Sequence, residues 1–422
     1  MLTKEQNDLL TQTGPGTLGG DLMRRFWQPA ALAVELPPSG SPVPVRLLGE
    51  DLVLFRDEEG RPGLLGLHCS HRGADLSYGR LEDGGLRCIY HGWLYDVHGR
   101  CLEQPGEPAG STLRQAQGRL FHEKIQHRAY PCQEVGGLIL AYLGPGEAPL
   151  VPAYDILLAP DDRRRNAKAF HECNYLQGNE GNIDSVHLSF LHLQQPRWRE
   201  HPGFDEVELE PTNYGIRNFW IRDLSDRYYV HITSFVMPNM GAFGGGRGEG
   251  YSINWHVPID DTHHWEYVIT FRREAAADGA LLRQGTQHEQ ELDANYHPIR
   301  NQSNQFLQDR EEQKTRTFAG LGSYFYAHDG CVTETAGSIQ DRTQEHLGFG
   351  DKAIVAQRLM LLKAIADVQA GRDPVGVVRK PQDNQFDILV RGEEIPKEWD
   401  WRTYWTKGLR GEAPAAAQSV IR

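Results

Sequence analysis

Two short segments of the sequence each place one cysteine and one histidine close together. The first is Cys69-x-His71, and the second, sixteen residues further on, is Cys88-x-x-His91. Four thiolate and imidazole donors are typical of a tetrahedral zinc site or of an iron-sulfur cluster. Zinc fingers usually place like ligands together, whereas here each segment supplies one of each kind. Two irons, one held by the cysteines and one by the histidines, satisfy this pattern, so we predict a [2Fe-2S] cluster with mixed ligands.

A second group of metal-ligating residue types lies in the segment ECNYLQGNEGNIDSVHLSFLH, at positions 172–192. Two imidazoles, His187 and His192, with one carboxylate on one face of iron leave positions open for oxygen and substrate. Asp184 lies three residues before His187, so on a helix the two side chains share a face and Asp184 could be that carboxylate. His187 and His192 are five residues apart, which an ideal helix separates by about 140°. We therefore expect the helix predicted over 174–192 to loosen or end near Phe190.

The elements that must position these residues fall into two regions. From about Val43 to Gly144, short β-rich runs alternate with Gly, Pro and Asp turns, which is typical of a small antiparallel β domain. A Pro-containing stretch around 144–154 is predicted to be a linker. The second region has helical patterns at 285–316 and 351–371 and four strand candidates, which indicates an antiparallel sheet with helices packed against it. The strand candidates are YGIRNFWIR, YYVHITSFVMP, YSINWHVP and HWEYVITFRR.

These patterns predict the α+β fold class and three segments. Residues 1–24 are expected to form an N-terminal helical segment, and residues 25–148 the small antiparallel β domain that carries the cluster. Residues 149–422 are expected to form a helix-grip domain, an antiparallel sheet wrapped on helices, which carries the second metal site and is the catalytic domain.

Composition excludes several classes of protein. The formal net charge of −13 argues against a protein that binds the phosphate backbone of nucleic acids. No apolar run reaches the length of a membrane helix, and the N-terminus lacks the pattern of a signal peptide, so a cytoplasmic protein is expected. Six cysteines in 422 residues are too sparse for a secreted disulfide framework.

Taken together, the motifs resemble the terminal oxygenase (alpha) component of the Rieske non-heme iron oxygenases, especially the phthalate dioxygenase-like branch. The resemblance covers nearly the full length and rests on the two cluster loops, on the block from Glu180 to His192, and on HDGCVTETAGSIQDRTQEHLG downstream. In that family the third ligand of the mononuclear iron comes from a downstream segment of the form D-x-x-V-x-E, which here begins at Asp329. The competing Asp341 is expected to join Arg342 in a structural polar network.

The resemblance also implies a role for Asp184 and a source of electrons. Asp184 would bridge His187 and the cluster ligand His91 of a neighbouring subunit, in a head-to-tail homotrimer or a hexamer, and give electrons a bonded path. Electrons from NADH would pass through a separate flavin or iron-sulfur reductase, or a ferredoxin, to the Rieske [2Fe-2S] cluster. From there they would reach a mononuclear Fe(II), where O₂ is activated beside the substrate.

The branch that the chain resembles hydroxylates, cis-dihydroxylates or O-demethylates aromatic carboxylates, as in the catabolism of aromatic compounds. A basic residue in the pocket is expected for such a substrate, and Arg217, Arg222 and Arg247 are the candidates. Two alternatives stay open. The chain could be a Rieske monooxygenase or O-demethylase acting on a substrate without a carboxylate, or a pure electron carrier that uses the first cluster alone.

Overall fold

The structure is a computed structural model, and it describes residues 1–107, 121–192, 203–244, 250–273 and 290–408. Within these ranges, strands dominate the first third of the chain, and a large sheet with helices follows, so the predicted α+β class is confirmed. Among the described helices, none combines the length and the apolar character that a membrane crossing requires.

Two four-stranded antiparallel sheets form the small β region, with strand orders β2-β3-β4-β9 and β5-β6-β7-β8. A third sheet, of order β1-β11-β10, is formed by strands that precede and follow those two sheets in the sequence. Their bounds are β1 (Gln28–Leu32), β2 (Val43–Leu47), β3 (Glu50–Arg56), β4 (Pro62–Gly66), β5 (Arg80–Glu82), β6 (Gly85–Arg87), β7 (Leu94–Tyr95), β8 (Cys101–Glu103), β9 (Ala129–Tyr130), β10 (Cys132–Val135) and β11 (Leu138–Ala141). The two four-stranded sheets enclose a small core of their own, in which Val53, Phe55 and Leu86 pack around Cys69 and Cys88.

An eight-stranded antiparallel sheet forms the second region, in the order β12-β18-β17-β16-β15-β14-β13, with β19 paired to β15. Its strands are β12 (Arg164–His171), β13 (Glu206–Pro211), β14 (Gly215–Asp223), β15 (Arg227–Val236), β16 (Met240–Phe243), β17 (Gly250–Pro258), β18 (His264–Arg272) and β19 (Arg391–Pro396). All four predicted strands are confirmed as β14, β15, β17 and β18. β12 was missed because its sequence, RRNAKAFH, is rich in basic residues and Ala and has little intrinsic β preference, which its full-length pairing with β18 overrides.

Eight α-helices are present in the described ranges, and several pack on this sheet. They are α1 (Lys4–Thr11), α2 (Leu18–Met23), α3 (Asp155–Leu158), α4 (Tyr175–Ile183), α5 (Arg310–Thr315), α6 (Phe325–Thr335), α7 (Lys352–Gln369) and α8 (Trp401–Gly408). Short 3₁₀ turns occur at Ala33–Glu35, Leu76–Tyr78, His122–Lys124, Asp161–Arg163, His187–Ser189, Gln302–Leu307, Phe349–Asp351 and Pro381–Asp383. The helix predicted over 351–371 is confirmed as α7. The pattern at 285–316 gives only a 3₁₀ turn and α5 within its described part.

The helix predicted over 174–192 is shorter than expected. Asn174 caps its start by accepting a hydrogen bond from the backbone of Leu176, and the helix ends at Ile183. Asp184 is extended, and its Oδ1 accepts from the backbone N–H of Val186 at 2.7 Å, which replaces a helical bond and turns the chain. A 3₁₀ turn, His187–Ser189, then carries the first of the two histidines.

A buried lysine ties the two regions together. Lys168 on β12 donates to Glu35 Oε1 at 2.6 Å, and its ammonium lies 4.3 Å from the centre of the Trp265 ring and 4.7 Å from that of Tyr296. Burial lowers the pKa of Lys168, and Glu35 opposes this shift. An aromatic cage and one carboxylate compensate a buried cation, so this contact fixes the first region against the edge of the large sheet.

Two candidate metal centres

Cys69 and Cys88 lie together inside the small β region. Their residues are only 3% and 2% exposed, and the hydroxyl of Tyr95 lies 3.2 Å from Cys69 Sγ. Burial raises the pKa of the Cys88 thiol, and the nearby Cys69 raises it further. Two thiolates could coexist here only with a cation between them, so this donor pair suits an iron or another soft metal.

The two cysteine loops repeat the same backbone turn. In each, the cysteine N–H donates to the carbonyl five residues later at 2.8 Å, and the residue four positions later donates back to the cysteine carbonyl, at 2.8 Å for Cys69 and 3.0 Å for Cys88. That fourth residue is Gly73 in one loop and Gly92 in the other, both at φ +75°, which a side chain would strain. The sequence therefore builds two matching cradles that face each other.

His71 and His91 lie at the outer end of these cradles. Their ring centres are 4.4 Å apart at 72°, and Trp93 stacks on His71 at 4.6 Å with an interplanar angle of 6°. Burial, His71 and Arg72 lower the pKa of His91, which favours the neutral imidazole that ligates a metal. A cysteine pair inside and a histidine pair towards the surface fit a cluster with one iron on each pair.

His187, His192 and Asp329 form the second candidate centre, with one donor atom of each within 4.8 Å of the others. Asp329 Oδ1 lies 3.0 Å from His192 Nε2 and 3.7 Å from His187 Nε2. Burial alone would raise the pKa of Asp329, but the imidazoles, His192 foremost, hold it below its ordinary value. In the described part of the chain, no other group of three such side chains converges in this way.

The three donors come from two distant parts of the chain. His187 and His192 follow α4, whereas Asp329 lies on α6, whose Phe325 stacks on His192 at 3.6 Å between ring centres. The side chain of His192 is 1% exposed, while those of His187 and Asp329 are 21% and 32% exposed. The candidate centre is thus closed behind His192 and open on the side of His187 and Asp329, which is where a small molecule could approach.

Asp184 lies on the other side of the His187 ring. Its Oδ2 is 3.7 Å from His187 Nδ1, whereas the Nε2 of that ring faces Asp329. Burial alone would lower the pKa of His187, but the carboxylates of Asp184 and Asp329 outweigh this and raise it. Since Asp184 is absent from the converging set and is 25% exposed, the geometry favours an outer contact to His187 over direct ligation.

The expected pairing of Asp341 with Arg342 is wrong. Asp341 is exposed, and its carboxylate accepts from the backbone N–H of Thr343 and, at 2.6 Å, from the hydroxyl of that residue. Arg342 is fully buried and instead donates to Glu180 on α4, which also binds Arg358 on α7 at 2.6 Å. The two arginines around Glu180 therefore hold α4 in place. Asp341 and Arg342 do not pair because Asp341 faces water and Arg342 faces the core.

The three arginines predicted to face a substrate are in different situations. Arg217 and Arg222 lie five apart on β14, so the strand alternation turns them to opposite faces. Arg217 binds Glu210 at 3.0 Å and the carbonyl of Asp387, on the outer face. Arg222 is 2% exposed and donates to the carbonyl of Gly203 at 2.9 Å. Arg247 lies outside the described residues.

Arg222 contacts the His187–Ser189 turn. A histidine near Arg222, His231, was not among the predicted site residues. Arg222 lies 3.4 Å from Ser189 Oγ, in the turn that begins at His187. His231 on β15 is on the same face and hydrogen-bonds to Ser185 Oγ at 3.1 Å. Burial, Arg222 and His187 lower the pKa of His231 to about 4, so it is neutral at pH 7. In the β14–β15 pairing Arg222 lies opposite Tyr229, and His231 follows two residues later on the same face. This alternation was the signal that could have placed His231 beside Arg222.

A buried cluster of one histidine and two glutamates connects α6 to the large sheet. His171 Nε2 lies 2.9 Å from Glu266 and its Nδ1 lies 3.3 Å from Glu334, five residues after Asp329 on α6. Burial alone would lower the pKa of His171, but the two carboxylates outweigh it and raise the pKa to about 10. An imidazolium between two carboxylates thus anchors α6 to the sheet.

Known proteins match both regions. A Rieske [2Fe-2S] domain family matches residues 26–118, and a family described as LigXa C-terminal domain like matches residues 141–420. The phthalate 4,5-dioxygenase oxygenase subunit of Pseudomonas putida is 37% identical over 96% of this chain and 95% of its own. The 5,5'-dehydrodivanillate O-demethylase oxygenase subunit of a Sphingobium species is 33% identical over 91% of this chain and 85% of its own.

A solved structure of the QL mutant of NdmA from Pseudomonas putida CBB5, with theobromine, has the same fold. It matches with a TM-score of 0.60 and 20% identity, over 83% of this chain and 92% of that one. The sequence matches extend across both the cysteine loops and the segments that carry His187, His192 and Asp329, so the chain belongs to the Rieske non-heme iron oxygenases, as an oxidoreductase with a LigXa-like C-terminal domain.

Proposed function

We propose that this chain is the terminal oxygenase of a multicomponent system that hydroxylates or cis-dihydroxylates an aromatic carboxylate. The observation that carries the proposal is the presence of two unlike donor sets in one chain, a Cys₂His₂ set and a His₂Asp set. The first has no open position for a substrate, and the second has an exposed side. An electron carrier needs only the first, so the second argues for an enzyme.

We assign the cluster to Cys69, His71, Cys88 and His91 and the mononuclear iron to His187, His192 and Asp329. When bound, the [2Fe-2S] cluster supplies single electrons, and Fe(II) at the second centre supplies the site of O₂ activation. The chain orients the donors: Trp93 stacks on His71, and Phe325 stacks on His192 and excludes water behind it. Electrons derived from NADH would arrive through a separate reductase or ferredoxin.

We assign Asp184 to the hand-over of electrons between subunits. Its side chain is 25% exposed, and it can accept a hydrogen bond from His187 Nδ1, which has no hydrogen-bond partner in the described structure. Ile89 and Tyr90, which precede His91 in its loop, are exposed, and the Tyr90 ring lies 3.8 Å from that of His91. Exposed apolar side chains beside a proposed redox centre support burial against a second copy, so we propose a head-to-tail trimer, or a hexamer of two trimers.

The substrate class rests on Arg222 and His231. A guanidinium and a neutral imidazole lie on the sheet face beside the ligand turn, and together they can bind a carboxylate with charge and a second hydrogen bond. Two of the relatives are named for aromatic acids, phthalate and 5,5'-dehydrodivanillate. Because the second of these is an O-demethylase, a monooxygenase that removes a methyl group from an aryl ether is the alternative function.

The test is NADH-dependent oxygen uptake by the purified chain with a surrogate reductase. The substrates would be benzoate, phthalate, 3-methoxybenzoate and the neutral anisole, with products identified by mass. Uptake coupled to a product that gains two oxygen and two hydrogen atoms supports dihydroxylation, and loss of a methyl group supports the alternative. An absence of substrate-dependent uptake, with both metal sites loaded, would contradict an oxygenase acting on aromatic acids.

A further inference from the structure

His328 is a buried histidine for which the proposed reaction has no use. It precedes Asp329 on α6 and is 5% exposed. Its Nδ1 lies 3.3 Å from His192 Nδ1, and the planes of the two rings are nearly parallel, at 18°. It is outside the group whose donors converge, because its Nδ1 points at the back of His192. It therefore contacts a ligand without being one.

The hydrogen bonds around His328 fix where its proton lies. Its Nε2 is 3.0 Å from the carbonyl of Gly322, and a carbonyl can only accept, so Nε2 carries the hydrogen. In the neutral ring, Nδ1 is then an acceptor. His192 Nδ1 must donate to it, which leaves the lone pair of His192 on Nε2, the nitrogen 3.0 Å from Asp329 Oδ1. The hydrogen bonds from Gly322 through His328 to His192 thus leave the His192 lone pair on Nε2, the nitrogen that faces Asp329.

We infer that His328 is a positioning residue that sets the tautomer of His192 and thereby the metal affinity of the second centre. The inference rests on the proposed role of His192 as a ligand. Three residues on one face of α6 then act on one site: Phe325 stacks on His192, His328 accepts from it, and Asp329 completes the donor set. Outer partners of ligating histidines commonly change metal affinity by about 10- to 100-fold when removed.

The experiment compares His328→Gln with His328→Phe in the full chain carrying its cluster. Glutamine offers a carbonyl oxygen near the place of Nδ1 and an amide N–H near that of Nε2, so it can keep both hydrogen bonds, whereas phenylalanine fills the space and keeps neither. Co(II) is titrated into protein stripped of its mononuclear metal, in competition with a chromophoric chelator. The cluster spectrum and the melting temperature monitor the fold, and His328→Asn, which can replace only the contact with His192, is a further variant.

We expect phenylalanine to weaken Co(II) binding by about 10- to 100-fold, and glutamine and asparagine to stay within about threefold of the parent. Parental affinity in a folded phenylalanine variant, or equal weakening in all three, would overturn the inference. The two proposals fail differently: if the parent binds no Co(II), or Asp329→Ala binds it equally well, the assignment of the iron site is wrong, and the inference about His328 is overturned with it.

Discussion

The two proposed metal centres are assembled in opposite ways. All four proposed cluster donors lie between Cys69 and His91, on two loops that repeat one hydrogen-bonded turn. The second centre joins His192 to Asp329 across 137 positions of sequence. One site is therefore local and can form with its small β region, whereas the other exists only when α6 is packed against the sheet. This difference predicts which substitutions should affect one centre and spare the other.

Removal of a long-range ligand should have the largest effect. Asp329→Ala is expected to lose the mononuclear metal and reduce turnover on the order of 10³-fold or more, since the O₂-activating ion is gone. Metal analysis should show one iron fewer per chain with an unchanged cluster spectrum. Asp341→Ala, on an exposed residue of the same downstream segment, is the matched control and should keep both. Loss of the cluster in Asp329→Ala would break the proposed independence of the two sites.

Asp184→Asn tests the connection between the sites. Both metals should remain, while turnover should stop or fall by at least about 100-fold, because an amide is a poorer acceptor for His187 than a carboxylate. Oxidation of the reduced cluster, followed after mixing with oxygen and substrate, should slow in parallel. Loss of iron from this variant would instead identify Asp184 as a ligand.

Arg222→Met addresses the open side of the second centre. If Arg222 binds the substrate carboxylate, kcat/KM for an aromatic acid should fall by about 10- to 100-fold, the value of one hydrogen bond to a charged group. Activity on a neutral aromatic ether should change little. Arg217→Met, on the same strand but on the opposite face, is the control. Equal losses on charged and neutral substrates would show that Arg222 supports the fold and does not select the acid.

The smallest expected effect is on stability and concerns His171, which connects α6 to the large sheet. The pKa of His171 is about 10 in the folded chain, above the ordinary 6.5, so its contribution to stability is complete below about pH 6.5 and is lost as the pH rises towards 10. The free energy of unfolding, from urea titrations, should fall over this window by on the order of a few kcal/mol. His171→Gln should flatten that slope, whereas His263→Gln, on a more exposed imidazole, should leave it. An unchanged slope in His171→Gln would assign the pH dependence to another group.

The same contrast explains what the sequence could predict. The proposed cluster donors could be predicted because their spacing within each loop is written directly in the sequence, and β14, β15, β17 and β18 were recognisable because their periodicity is local. The end of α4 was placed too late, since Asp184 turns the chain through a bond to Val186 that no periodicity reveals. Asp329 rested on a family resemblance, because its distance from His192 depends on the packing of α6.

Residues that only the fold brings together were missed or misplaced. His231 carries no motif, and its position beside Arg222 and Ser185 comes from the pairing of β14 with β15. Arg217 was grouped with Arg222 by charge alone, although strand alternation separates their faces. The partner of Arg342 proved to be Glu180, which is 162 residues away. In each case the deciding contact is long-range, and composition holds no information about it.

The arrangement on α6 also limits how this enzyme can diversify. Each residue added to a helix rotates all that follows by about 100°, so one insertion between Phe325 and Asp329 would turn the stacking ring and the carboxylate out of phase. Variation in length must therefore be confined to loops outside this helix. New substrates are then expected to be gained through changes in the residues around the open side of the site, while the length and register of α6 stay constant.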